Sequence, residues 1–262
     1  MSISRLIRGR IALVLVGLVT VQYALFLVPI SWFLLPLPFA WVRRQCRRWL
    51  SVVQLVLLGF LGYAVEFVCQ IRLVLTGADE LLHVLPNKPL LISNHASELD
   101  WMFLVCLSLR LHRLSVLKIA ANEALSRLPF LGWLMQTFLF PALCGRDKVK
   151  DLATLRNVIE YLVGIQHQMG GVSMALFPEG SALSNPDALE KSWRYADILG
   201  LPRWSHVLVP RVFGTFEAIR SLNRLNAIDA VIDVTIGYLD FDPSFDSSSP
   251  QLGSFWTGTY PR

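Results

Sequence analysis

Two stretches near the start of the chain are almost empty of polar residues. Ile11 to Trp41 carries no charge, and Trp49 to Val65 stays apolar until Glu66. Both approach or exceed the roughly 20 helical residues that cross a hydrocarbon core. Pro29, Pro36 and Pro38 interrupt the first, which predicts a helix from Ile11 to Val28 that ends or kinks at Pro29. Arg5, Arg8 and Arg10 precede it and Arg43, Arg44, Arg47 and Arg48 follow, so the charges give no orientation. Two arrangements satisfy the pattern: two spanning helices with "RRQCRR" as the turn, or a hairpin embedded in one leaflet with both basic clusters at the same surface. The first run also follows a basic n-region as in a signal peptide, but no small-x-small cleavage site follows it closely. Residues 1–70 therefore read as a membrane-inserted helix pair.

Beyond residue 71 the texture changes to short strand-like and helix-like segments in alternation, which predicts an α/β domain over residues 71–262, a mixed sheet flanked by helices. "PLLIS" (Pro89 to Ser93) reads as an apolar strand, and Leu99 to Leu111 as a buried helix. Pro129, Gly132 and Pro141 break "RLPFLGWLMQTFLFPAL" too often for one long helix. Leu152, Leu155, Val158, Ile159, Leu162 and Val163 keep the helical period between Asp151 and Met169, and Gly170-Gly171 stops it. Val172 to Phe177 is a strand, and Asn185-Pro186 opens a helix through Leu199 as cap and first-turn proline. Val207 to Val209 and Val231 to Tyr238 supply further strands, while Asp240 to Ser249 is polar and turn-rich, a loop.

Two polar clusters, "NHASELD" and "FPEGS", each stand just beyond an apolar strand, where open α/β sheets bind ligands. The first has a bland reading, since Ser97 and Asp100 have the spacing of a capping box. On one continuous helix His95 and Asp100 would point about 140° apart. They meet if His95 sits in the loop after the strand and folds back over the first helical turn. Asp100 then accepts a proton from one imidazole nitrogen and leaves the other as a general base.

Composition narrows the setting. Hydrophobic residues make up 54% and charged ones 16% of the 262, too apolar for an ordinary soluble enzyme. The net charge of +5 comes without any nucleic-acid-reading motif, so the basic residues fit a phospholipid surface and nucleic acid is not expected as a partner. Cys46, Cys69, Cys106 and Cys144 form no paired spacing and pack as small hydrophobes. His83, His112, His167 and His206 have no metal-ligand spacing, and no phosphate-binding or dinucleotide fingerprint is present.

The stretches "NHASELDWMFL", "LGWLMQ" with Arg146 beyond it, "LFPEGS", Lys191 ahead of "LGLP", "HVLVPRVFGTF" and "AIDAVIDVTIGY", in this order, resemble the glycerolipid acyltransferase family, most nearly the eukaryotic branch that contains lysocardiolipin acyltransferase. The resemblance runs from Leu90 to Tyr238 and implies transfer of an acyl group from acyl-CoA, a co-substrate and not a bound cofactor, to a lysophospholipid hydroxyl. It casts His95 as the base and Asp100 as its orienting partner. It assigns Arg146, Glu179 and Gly180 to the acceptor, with Asn94 and Ser181 adjoining in the same motifs. Many members carry an arginine where Ala182 stands, and Lys191 or Arg211 is the expected replacement for that charge. The resemblance also implies a membrane location, most commonly the endoplasmic reticulum, with the mitochondrial membrane as the alternative. Two rivals remain at this stage: a CoA-independent phospholipid transacylase and a catalytically inactive lipid-binding membrane protein.

Overall fold

The first helix, α1 (Ile3–Leu34), is longer than the pattern predicts and runs through Pro29. Proline deletes one backbone bond, but apolar helices packed on neighbours tolerate this. Ala24 and Val28 bury themselves just before the proline against Leu57 of the next helix and Phe138. The chain stops being helical at Leu34, where Pro36 and Pro38 push the residues before them out of the helical region. The turn is therefore "LPLPF", and Arg43, Arg44, Arg47 and Arg48 lie inside α2 (Ala40–Tyr63) instead of forming the turn. The described residues of this computed structural model are 3–77, 87–185, 187–239 and 252–260; Pro186 and the loop expected from Asp240 to Ser249 lie outside them.

Leu50, Val53, Gln54, Leu57, Leu58 and Leu61 form the buried stripe of α2 at helical spacing. One π-helical turn (Ala64–Val68) carries the chain off the end of α2. Both helices are long and apolar enough to cross a membrane. Ile3, Ile7, Val14, Leu18 and Phe26 of α1 are exposed, an apolar face with no protein cover.

The strand β1 (Pro89–Ser93) is followed by α3 (Asp100–Arg110), and β2 (Leu117–Ile119) comes next. The broken segment folds as β3 (Ala121–Asn122), α4 (Glu123–Ser126), α5 (Leu131–Thr137) and β4 (Ala142–Leu143). Then follow α6 (Lys148–Met169), closed by Gly170 in the left-handed conformation, and β5 (Ser173–Leu176). The remainder is α7 (Ala188–Leu199), α8 (Val212–Arg224), β6 (Ala230–Val234) and α9 (Leu252–Thr257).

The main sheet has the order β2-β5-β1-β6, and its strands pair parallel throughout, where a mixed sheet was expected within the α/β fold. Leu91 faces Ala175 and Ile232 across the central strand. Side chains alternate between two helical layers. Leu90, Met174 and Leu176 meet Leu155, Ile159 and Leu162 of α6 and Leu222 of α8. Leu91, Ala175 and Ile232 meet α3 and Leu58 of α2. Fully buried leucines and isoleucines such as Leu90, Leu91, Ile159 and Leu162 contribute about 1.5–3 kcal/mol of hydrophobic free energy each.

Two strand expectations fail for the same reason. Val207–Val209 is not a strand, and β6 ends at Val234 instead of Tyr238. The first is a short apolar run and the second alternates as a strand does, but side chains take up the backbone groups a neighbouring strand would use. Glu179 and Ser192 accept from Leu208 and Val209, and Asn94 pairs with Ile236. At Asn185 the expected cap is absent: α7 begins only at Ala188, with Asp187 in the capping position, and the Asn185 amide donates to Ser181 Oγ.

The far end of the chain returns to its beginning. Gly9 packs so closely on α9 that an added Cβ would sit 2.0 Å from the Phe255 carbonyl oxygen. Arg5 caps the Tyr260 ring and Arg10 the Trp256 ring, while Arg8 donates to Gln70. These three arginines, expected to face phospholipid, are thus engaged by protein groups.

Candidate active site

The strand β1 leads directly to Asn94, whose amide closes a two-bond clasp on the backbone of one residue: Oδ1 accepts from Ile236 N–H at 2.7 Å, and Nδ2 donates to Ile236 C=O at 3.0 Å. The chain then leaves the sheet and turns tightly into α3. Ser97 Oγ accepts from the Leu99 N–H, and the Ser97 N–H donates to Asp100 Oδ2 at 2.8 Å. The capping box is therefore half present, its acid reaching back as expected. The same turn places His95 Nδ1 3.0 Å from Asp100 Oδ2. A carboxylate at the first residue of a helix is favoured by the positive end of the helix dipole.

Asp100 has no exposed surface, while the His95 side chain keeps 19%. Since a carboxylate only accepts, Nδ1 carries the proton and Nε2 presents its lone pair. The imidazole stacks on Phe177, with centroids 4.2 Å apart, and the Tyr238 hydroxyl donates to Asp100 Oδ1. Burial, reinforced by the charge of Asp100, pushes the Tyr238 hydroxyl far above its ordinary pKa, so it stays a donor.

The second cluster braces the first. Glu179 is buried, and its two oxygens accept from backbone amides on different segments: His95 N–H at 3.2 Å and Leu208 N–H at 3.3 Å. Burial raises the Glu179 pKa, and the two N–H donors oppose that rise. The His95 carbonyl accepts from Leu183 N–H at 2.7 Å, so both backbone groups of His95 are held by the segment that follows β5. Gly180 adopts a φ of +70°, and Arg211 crosses directly over it, its Cδ 3.5 Å from where a Cβ would stand. This conformation suits glycine, and the missing side chain leaves room for the arginine.

Arg211 extends on to the Gly145 carbonyl, next to exposed Arg146. The structure thus brings His95, Asp100, Glu179, Gly180 and Arg211 together, with Arg146 beside Arg211. Lys191 lies exposed on α7, and no contact among the described residues joins its side chain to this group. Ser181 accepts from Asn185, and Asn94 is occupied by Ile236. Ala182 is buried, so an arginine at this position would have to unpack it.

Three contributors lie in the quoted stretches but were given no role there: Tyr238, Phe177 as the stacking surface, and the Leu208 peptide. Phe177 stands inside "FPEGS" and could have been suspected; Tyr238 ends an alternating apolar run with nothing local to set it apart. Among the described residues no three His, Cys, Asp or Glu side chains are grouped to hold a metal. Burial pushes the Cys69 thiol up to about 11 and that of Cys106 to about 12, values at which neither supplies a thiolate nucleophile.

An oriented imidazole with a buried carboxylate behind it, at the carboxyl end of a parallel sheet and beside a cationic rim, has the geometry that taking a proton from a bound hydroxyl would require. The acyltransferase family model matches residues 77–238, more than half of the chain, and the protein belongs to that family. A probable 1-acyl-sn-glycerol-3-phosphate acyltransferase 5 from Arabidopsis thaliana is 35% identical over 159 residues, 61% of this chain and 40% of that protein. Lysocardiolipin acyltransferase 1 from Danio rerio is 31% identical over 206 residues, 78% of this chain and 48% of its own. The human 1-acyl-sn-glycerol-3-phosphate acyltransferase delta is 29% identical over 152 residues, 58% and 38% of the two chains. The chain spans about half the length, or less, of these relatives. No solved structure matches it.

Proposed function

We propose that the protein transfers an acyl group from acyl-CoA to the free hydroxyl of a lysophospholipid, the acceptor being lysophosphatidic acid, lysocardiolipin or lysophosphatidylinositol. The observation that carries this reading is the His95 Nδ1–Asp100 Oδ2 bond, formed on a His95 whose backbone is held at both ends by Glu179 and Leu183 of the segment that follows β5. His95 Nε2 takes the proton of the acceptor hydroxyl as its oxygen attacks the thioester carbonyl, and Asp100 stabilises the imidazolium. The tetrahedral intermediate collapses with cleavage of the C–S bond, and the imidazolium returns the proton to the departing CoA sulfur. A thioester is already activated, so no acyl-enzyme is required. Arg146 and Arg211 bind the acceptor phosphate, for which guanidinium forks are suited.

The helix pair holds the enzyme to its lipid substrates, in the endoplasmic reticulum by analogy with its family. Entry from one side of the bilayer is favoured over spanning by the contacts of α2. Arg47 donates to Tyr161 of α6, Gln54 to the carbonyls of Leu114 and Leu117, and Glu66 pairs with Arg110. From Arg47 to Glu66 is about 28 Å of helix, close to the thickness of a hydrocarbon core, and the catalytic fold accompanies it throughout.

The test is acyl-CoA-dependent acylation of a lysolipid panel by protein in lipid nanodiscs, wild type against His95→Ala. The expected loss is on the order of 10²- to 10⁴-fold. Product formed from phospholipid donors without acyl-CoA would establish the transacylase instead. Lysolipid binding with no turnover, unchanged by His95→Ala, would establish the inactive binder.

A further inference from the structure

Asp100 is completely sealed from solvent, so its charge is shared only among protein donors. Two of them, the Ser97 N–H and His95 Nδ1, converge on Oδ2. On Oδ1 the donor is the hydroxyl of Tyr238, from a residue 138 positions away in the chain. A carboxyl group turns in a broad, nearly two-fold well, so bonds to a single oxygen leave its plane loosely defined. A donor on the second oxygen fixes the plane and with it the direction of the lone pair aimed at His95.

The tyrosine itself is held. Two residues earlier the chain is pinned by the Asn94 clasp on Ile236, and the ring makes an edge contact with Phe103 at 5.9 Å. Its hydroxyl is also hydrogen-bonded with Ser97, the residue whose peptide binds the same carboxylate. Asn94 and Ser97, both within the first motif, thus steer Tyr238 onto Asp100.

We propose that Tyr238 is a positioning residue of the acyl transfer: its hydroxyl fixes the plane of Asp100 and shares its negative charge, and so governs how readily His95 takes a proton. This rests on His95 being the general base. Removing the hydroxyl returns charge to the carboxylate, which then stabilises the imidazolium more strongly and at the same time aims it less well. The two effects are separable, because the first moves the pH profile and the second lowers the rate.

The experiment is the pH dependence of kcat/KM for Tyr238→Phe and for 3-fluorotyrosine at position 238, a better donor of nearly unchanged shape. For Tyr238→Phe the expected result is a kcat about tenfold lower, KM for both substrates within about twofold, and an acid limb displaced upward by roughly half to one pH unit. Fluorotyrosine should displace the limb downward with kcat nearly retained. If the Phe variant does not fold, the fluorotyrosine enzyme carries the test. An acid limb that stays in place, whatever happens to kcat, would leave Tyr238 a packing residue and overturn the inference. Wild-type enzyme with no His95-dependent transfer would instead overturn the proposed function, an outcome read before any variant is compared.

Discussion

Replacing Glu179 by glutamine separates two roles for the acid of "FPEGS". The family resemblance assigns it to the acceptor, whereas the geometry has it hold the His95 and Leu208 peptides together. Glutamine keeps one acceptor oxygen and turns an amide group toward the other N–H, so one peptide faces a donor whichever way the side chain is turned. A hydrogen bond to a charged group contributes about 1.5–3 kcal/mol, and its loss at His95 corresponds to roughly 10- to 100-fold in rate if it falls on catalytic geometry. Global stability should change far less, because the neutral amide escapes the burial penalty that raises the Glu179 pKa. The assay compares acyl transfer to lysolipid with slow hydrolysis of acyl-CoA by water when no acceptor is present. A brace for His95 predicts that both reactions fall together while KM for the acceptor stays within about twofold. Hydrolysis at the wild-type rate with a raised acceptor KM would refute the brace and restore the acceptor-binding role.

Lys118 is buried, donates to Gln54 at 2.7 Å, and burial holds its pKa down to about 7. Its folded value lies below its unfolded one, so the penalty is full below about pH 7, shrinks up to about 10.5 and then vanishes; wild-type stability should rise across that window. Lys118→Met should flatten this dependence and stabilise the protein at pH 7 by roughly 1–3 kcal/mol after the loss of the Gln54 partner, read by denaturant titration; a wild-type curve already flat would refute the argument. Arg211→Ala should raise the acceptor KM about tenfold and weaken its salt dependence, while Lys191→Ala leaves both unchanged, and an unaltered KM and salt dependence in Arg211→Ala would remove Arg211 from the site. Gly9→Leu cannot keep the contact with Phe255, so limited proteolysis should cut residues 252–260 at least tenfold faster, with an unaltered rate counting against the packing.

What the sequence made legible was local. Leu90 to Ser93, the α6 stripe and the strand before "FPEGS" each carry their own period, and the structure places them where the period says. Pro29 defeats the rule because a helix breaker acts through one lost bond, which packing around Val28 and Leu57 outweighs. Val207 to Val209 defeats it differently: an apolar run says that a segment is buried, not what bonds its amides, and here a buried carboxylate and a serine replace the neighbouring strand. Of the site, His95 and Asp100 could be paired from five positions of spacing and the turn between them. The bonds from Glu179 to the His95 peptide and from Tyr238 to Asp100 join residues 84 and 138 apart, and nothing in either neighbourhood records the other.

The contact between Gly9 and Phe255 orders the molecule in time. Arg5 and Tyr260 are 255 positions apart, so at about 5–20 residues per second the first turns of α1 wait roughly 13–50 s for the segment that covers them. Until that segment is made, the Gly9 face of α1 lacks the protein surface it packs on in the finished fold. The first helix is therefore made long before its cover, and a chain arrested after β6 would hold His95 against Asp100 while the start of α1 still lacked its packing partner.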